Sequence, residues 1–171
     1  MLDLSMHRFV TTLAVAGGLA SLLALSPIAA DAQTAVPAAK APATKATPGV
    51  EHLAAGRKAI EAKEWATAVY ALKMAAAEDP RNADVENLLG YSYRKRTPPD
   101  LPKAFEHYNS ALKLDPRHKG AHEYIGEAYL LDNKPEEADK KLAQLASICG
   151  NKTCDEYKNL LKSIADYKAR K

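Results

Sequence analysis

A repeat of about 34 residues constrains this chain more than any other feature. Glycines stand at 56, 90 and 126, and their surroundings fall into register. Ahead of them come Ala55, Leu89 and Ile125; three residues beyond come Ala59, Tyr93 and Tyr129. Ala68, Ala104 and Ala138 recur next, then Leu72, Tyr108 and Leu142. The first two units close on Asp79-Pro80 and Asp115-Pro116. A small residue lets two helices cross closely, a large one fills the gap between units, and a proline stops a helix. Within the first unit, apolar residues recur at three and four: Leu53, Ala59 and Ile60, then Trp65, Val69, Leu72 and Met74. That is helical periodicity. No stretch alternates with period two long enough for a strand, so an all-α chain is expected. The spacing predicts helices at 50–63, 65–78, 82–96, 101–114, 118–131 and 135–148, with a seventh at 154–169. Asn82, Asp115 and Thr153 are the expected N-caps.

The first 32 residues read as a secretory signal. His7 and Arg8 precede the apolar run "FVTTLAVAGGLASLLAL", and Ala30-Asp31-Ala32 forms a small-x-small site with the cut expected before Gln33. The alternative reading is an uncleaved membrane anchor. Residues 33–49, "QTAVPAAKAPATKATPG", hold three prolines and nothing large enough to bury, and read as a disordered Ala/Pro-rich tether. The signal carries one Arg and two Asp, so its loss moves the net charge from +3 to +4. Acids and bases alternate over most of the remainder, which does not point to nucleic acid. Export with no further apolar span implies no stable membrane insertion once the signal is cut.

The second unit carries an insertion: "RKRTPPDLPKA" makes its Gly90-to-Ala104 interval two residues longer than Gly56 to Ala68. Pro98 and Pro99 end one helix, and Pro102 suits the first turn of the next. The insertion is read as a tolerated loop, or else as a basic projection that meets a partner. The third unit replaces its closing proline with "CGNKTC". Cys149 and Cys154 are the only cysteines, an even pair in a chain expected to be exported, and a disulfide is the first reading. A redox-active pair and a metal site are the alternatives. The last helix sets Tyr157, Leu160, Leu161 and Ile164 against Lys158, Lys162, Asp166 and Lys168, as a helix that covers the end of an array should. His118 and His122 are four apart with Asp115 and Glu123 adjacent; this is metal-compatible spacing but a weak signal, and no metal is assigned. No nucleophile–base set, phosphate loop or cofactor motif stands in the chain, so neither an enzyme nor a cofactor is expected.

Over residues 49–148 the pattern resembles the tetratricopeptide repeat (TPR) family. The resemblance implies a right-handed helical-hairpin solenoid of three units, about 49–82, 83–118 and 119–150, plus a C-terminal capping helix over 153–169. It also implies an interaction module with a concave groove lined by the first helix of each unit. The family's lining slots fall on Leu53, Arg57 and Ile60, then Asn87, Tyr91, Arg94 and Lys95, then Glu123, Glu127, Leu130 and Leu131, with Tyr124 at the border. The groove assigned to a partner is Arg57, Asn87, Tyr91, Arg94, Lys95, Glu123, Tyr124 and Glu127. Basic residues on the second unit and acidic ones on the third point to a protein or peptide of mixed charge, and against a carboxylate-terminated tail. The expected function is a periplasmic or secreted adaptor. The alternatives are a self-associating scaffold, through an N-terminal face around Leu53, Ile60, Trp65 and Val69, and an envelope thiol or metal protein.

Overall fold

The computed structural model describes residues 48–170; the signal, its cleavage site and nearly all of the tether lie outside them. The described chain is α1 (Pro48–Glu61), α2 (Trp65–Glu78), α3 (Ala83–Lys95), α4 (Leu101–Leu114), α5 (Lys119–Leu131), α6 (Pro135–Ile148) and α7 (Asp155–Lys168), with no strand among the described residues. Each helix begins and ends within two residues of its expected place. None is long and apolar enough to cross a membrane.

Three antiparallel hairpins, α1–α2, α3–α4 and α5–α6, stack in sequence. The glycines explain how closely each first helix can be approached. A Cβ at Gly56 would sit 2.7 Å from the Leu72 side chain, and one at Gly90 2.6 Å from the Tyr108 ring. The third unit departs from this register. The sequence pairs Gly126 with Leu142, but the side chain pressed against Gly126 belongs to Leu160 of α7, 2.7 Å from the virtual Cβ. The last helix therefore inserts into the close-packing slot of α5. Leu145, Tyr157, Leu160 and Ile164 form a second apolar cluster there, beside the main one centred on Leu72, Leu89, Tyr93, Tyr108 and Ile125.

The turns inside the hairpins share one closure. Glu64 N–H donates to Ala59 O, Asp100 N–H to Tyr93 O and Lys134 N–H to Tyr129 O, at 2.8, 3.0 and 2.8 Å. In the first and third units a single left-handed residue makes the turn, Lys63 (φ 59°) and Asn133 (φ 55°). The second unit reaches the same acceptor slot with two extra residues, so the insertion leaves the register of the solenoid untouched.

Two expected caps move. Asn82 does cap α3, its Oδ1 accepting from Val85 N–H at 3.2 Å. The cap of α5 is His118, whose Nδ1 accepts from Ala121 N–H at 3.1 Å, while Asp115 instead accepts from Arg117 N–H. Cys154, not Thr153, stands at the N-cap of α7, and Thr153 turns back onto Asn151. Asp100 caps α4 ahead of Pro102, through Lys103 N–H. Cys149 and Cys154 are joined by a disulfide (Cα–Cα 6.1 Å) that bridges the end of α6 to the start of α7.

Candidate groove

The first helices carry the lining slots because residues four apart share a face, and the superhelix brings equivalent slots side by side. Leu53, Asn87, Glu123 and Asn159 form one row across α1, α3, α5 and α7; Arg57, Tyr91, Glu127 and Ser163 form the next. Two cross-contacts fix the last step of both rows. Asn159 Nδ2 donates to Glu123 Oε1 at 3.1 Å, and Ser163 Oγ donates to Glu127 Oε1 at 3.0 Å.

The structure gathers six of the eight expected groove residues. Tyr91, Arg94, Lys95, Glu123, Tyr124 and Glu127 line one concavity of about 350 Å³, together with Asn159, Lys162 and Ser163 of α7. It continues into a neighbouring hollow of about 250 Å³ that reaches Leu130, Leu131, Asp166 and Arg170. The other two stand apart. Arg57 is exposed and lies 3.5 Å from Asp84. Asn87 is buried against α5, its Nδ2 3.2 Å from where a Cβ on Gly120 would stand, and its buried Oδ1 meets no donor among the described residues. The α7 contributors carry none of the Gly, Tyr or Pro marks of the repeat. Continuing the 36-residue step past the third unit would have reached Asn159 and Ser163.

Arg94 organises the groove. It is only 6% exposed. Its Nε donates to Tyr108 Oη at 3.1 Å, and an Nη lies 2.7 Å from Glu127 Oε2. Its guanidinium lies over the rings of Tyr91 and Tyr124, at 5.3 and 5.5 Å. The two rings are 4.9 Å apart, and Trp65 meets Tyr91 edge-on at 6.1 Å. Burial alone would favour loss of the Arg94 proton, but Tyr108 and Glu127 outweigh it and hold the pKa above its usual value. Burial likewise drives Tyr108 strongly upward and lifts Tyr124 to about 12, so both hydroxyls stay protonated. The basic and acidic residues that the sequence set out for a partner thus partly satisfy each other.

The two acids differ. Glu127 accepts from Arg94 and Ser163 and is satisfied. Glu123 is 7% exposed, its one hydrogen bond is from Asn159, and no cation approaches within 4.0 Å among the described residues. Burial lifts it to about 7, with Glu127 and Glu156 pushing the same way. Lys95 and Lys162 stand at the rim but point elsewhere: Lys95 Nζ lies 5.8 Å from the Tyr91 ring centre, and Lys162 Nζ pairs with Asp166 at 2.6 Å.

The two histidines set four apart are committed to the scaffold. His118 engages both ring nitrogens, Nδ1 accepting from Ala121 N–H while Nε2–H donates to Asp84 at 3.0 Å. The buried His122 gives Nε2–H to Pro116 O at 3.0 Å, so the two imidazoles do not converge on one point. Leu53, Ile60 and Val69 pack against the main core, and Trp65 is half-buried. The large apolar side chains left exposed on the first hairpin are Val50, Tyr70 and Met74. A concavity of about 440 Å³ also lies there, among Val50, Leu53, Ala75 and Val85. No buried charge lines it, which sets it apart from the α3–α5–α7 groove.

No family model and no curated protein matches the sequence. Solved structures do match in fold. The TPR2B domain of yeast Sti1, solved in a complex with pHsp70, superposes with a TM-score of 0.65 at 15% identity, over 74% of this chain and 100% of that one. The Arabidopsis OM64 TPR domain gives 0.62 at 16%, over 70% and 96%. The first TPR of Spaghetti (RPAP3), bound to the HSP90 peptide SRMEEVD, gives 0.61 at 20%, over 71% and 94%. At such identities the likeness is one of fold: residues 48–170 adopt the all-α, helical-hairpin solenoid of TPR domains.

Proposed function

We propose that this chain is an exported, non-enzymatic adaptor that holds a protein or peptide segment in the groove between α3, α5 and α7. The observation that carries the reading is the groove itself: a stack of Tyr91, Arg94 and Tyr124 in one concavity with Glu123 and Lys95. Tyr is among the side chains most often found as energetic anchors of interfaces, and Tyr91 and Tyr124 are only partly buried. The fold neighbours include domains solved with peptide partners, which supports the class of activity but not its ligand. An acid-rich peptide such as SRMEEVD would meet the buried acid Glu123, which keeps an acidic tail disfavoured. Export is supported by the signal-like first 32 residues and by the Cys149–Cys154 bridge, since disulfides persist in oxidising compartments.

The test is site-specific photocrosslinking in the producing cell, with the crosslinker placed in turn at Lys95, at Lys162 and at Lys73 of α2. A partner captured from the two groove positions and not from Lys73 supports the reading. Equal capture from Lys73, or none from the groove, overturns it. A second reading, self-association, draws on the exposed Val50 and Tyr70 at the N-terminal end. A strictly monomeric mass in light scattering at high concentration would remove it.

A further inference from the structure

We propose that the α5–α7 end of the groove is a subsite for one basic side chain, arginine or lysine, of the bound segment, with Glu123 as its counter-ion. This rests on the groove reading above and names the chemistry of its occupant.

Two acids of α5 are unequally compensated. Glu123 and Glu127 lie one turn apart, and α7 answers each with one polar side chain. Glu127 also receives the Arg94 guanidinium; Glu123 receives no cation among the described residues. A buried carboxyl with a single amide donor is poorly compensated, and a glutamine could make the same bond to Asn159 without the charge. What the carboxylate adds is the capacity to take a cation. The groove's own cations are otherwise engaged, Arg94 with Glu127, Lys162 with Asp166, and Lys95 against the Tyr91 ring. When Glu123 ionises, its charge is left for a cation of the bound segment to match.

The space and the surroundings fit such a guest. The hollow beside Glu123, about 350 Å³, is in the size range of small-ligand sites. Tyr124, kept neutral by burial, borders the carboxyl, and Asn159 holds one oxygen in a fixed direction.

The experiment uses capped twelve-residue peptides with random flanks and a central Arg, Lys, citrulline or Glu. Binding is read from the fluorescence of Trp65, the only tryptophan, which touches Tyr91 at the groove. Arg and Lys forms should bind at least about tenfold tighter than the citrulline and Glu forms. Glu123→Gln, which keeps the shape and the Asn159 bond, should bind all four alike while its melting curve stays cooperative. Equal affinity of the wild-type protein for all four forms overturns the subsite but leaves the groove. Retention of the preference in Glu123→Gln overturns the subsite in the same way. If no peptide perturbs Trp65, the subsite and the groove reading fall together.

Discussion

Arg94 of the second hairpin and Glu127 of the third meet at 2.7 Å, and the arginine is almost wholly buried. The pair joins two units across the groove floor while Tyr108 holds the other side of the guanidinium. Glu127→Ala strands a buried cation and should cost about 3 kcal/mol. Arg94→Met with Glu127→Leu replaces the pair by apolar bulk and should cost less than Glu127→Ala, because the desolvation of both charges disappears with them and the remaining loss is the Tyr108 hydroxyl left without its donor. Denaturant titration of the single and double variants measures both.

The glycine slots make a graded prediction. Gly90→Ala drives a methyl into the Tyr108 ring, which is fully buried and cannot swing aside. A loss of about 1–3 kcal/mol is expected. Gly126→Ala meets the ends of the more adaptable Leu160 and should cost less. Thermal unfolding of the two variants side by side gives the order.

Glu123 gives the fold a pH dependence whose sign follows from its raised pKa. The folded carboxyl holds its proton up to about pH 7, against an ordinary value of 4.5. Its contribution is therefore fully present below 4.5 and is lost as pH rises through about 7, where the curve levels. The groups facing it act in both directions: Glu127 and Glu156 raise the pKa, Asn159 and Arg94 lower it. Urea midpoints from about pH 4 to about pH 8 should show this fall in the wild-type protein and lose it in Glu123→Gln. Binding of a basic peptide should strengthen over the same interval, since a cation favours the ionised acid.

The disulfide closes a short loop, so its removal should be modest. Cys149→Ser with Cys154→Ser should cost about 2 kcal/mol in the chain-entropy account. The loss should concentrate in α7, and amide exchange at Asn159 and Ser163 should quicken before exchange at Leu89 or Tyr93 does.

The chain recovered from its producing cell should begin at Gln33, a result that intact mass decides. A mass that includes the apolar run would make that run an anchor.

Much of the solenoid was legible because its grammar is local. Gly56, Gly90, the alanines at 68 and 104, and the closing prolines mark where helices cross and stop, and these sit within a single unit. Legibility failed where contacts depend on the superhelical path. The Arg94–Glu127 pair spans two units, so its members look like a basic and an acidic patch when read along the chain. His118 was legible as a ring four residues from another ring, not as the cap of α5 tied back to Asp84 of α3. Helix α7 hid its part because its polar residues match a solvent face as well as they match a groove wall; Lys162 and Asp166 satisfy both descriptions.

Lys162 stands where the 36-residue step from Gly126 lands, the position that is glycine in all three hairpins. There its side chain runs out to Asp166, largely exposed. A fourth returning helix would need that position to be small, as Gly56 must be for Leu72 and Gly90 for Tyr108. Grafting a further hairpin onto this protein would have to begin by shortening that side chain.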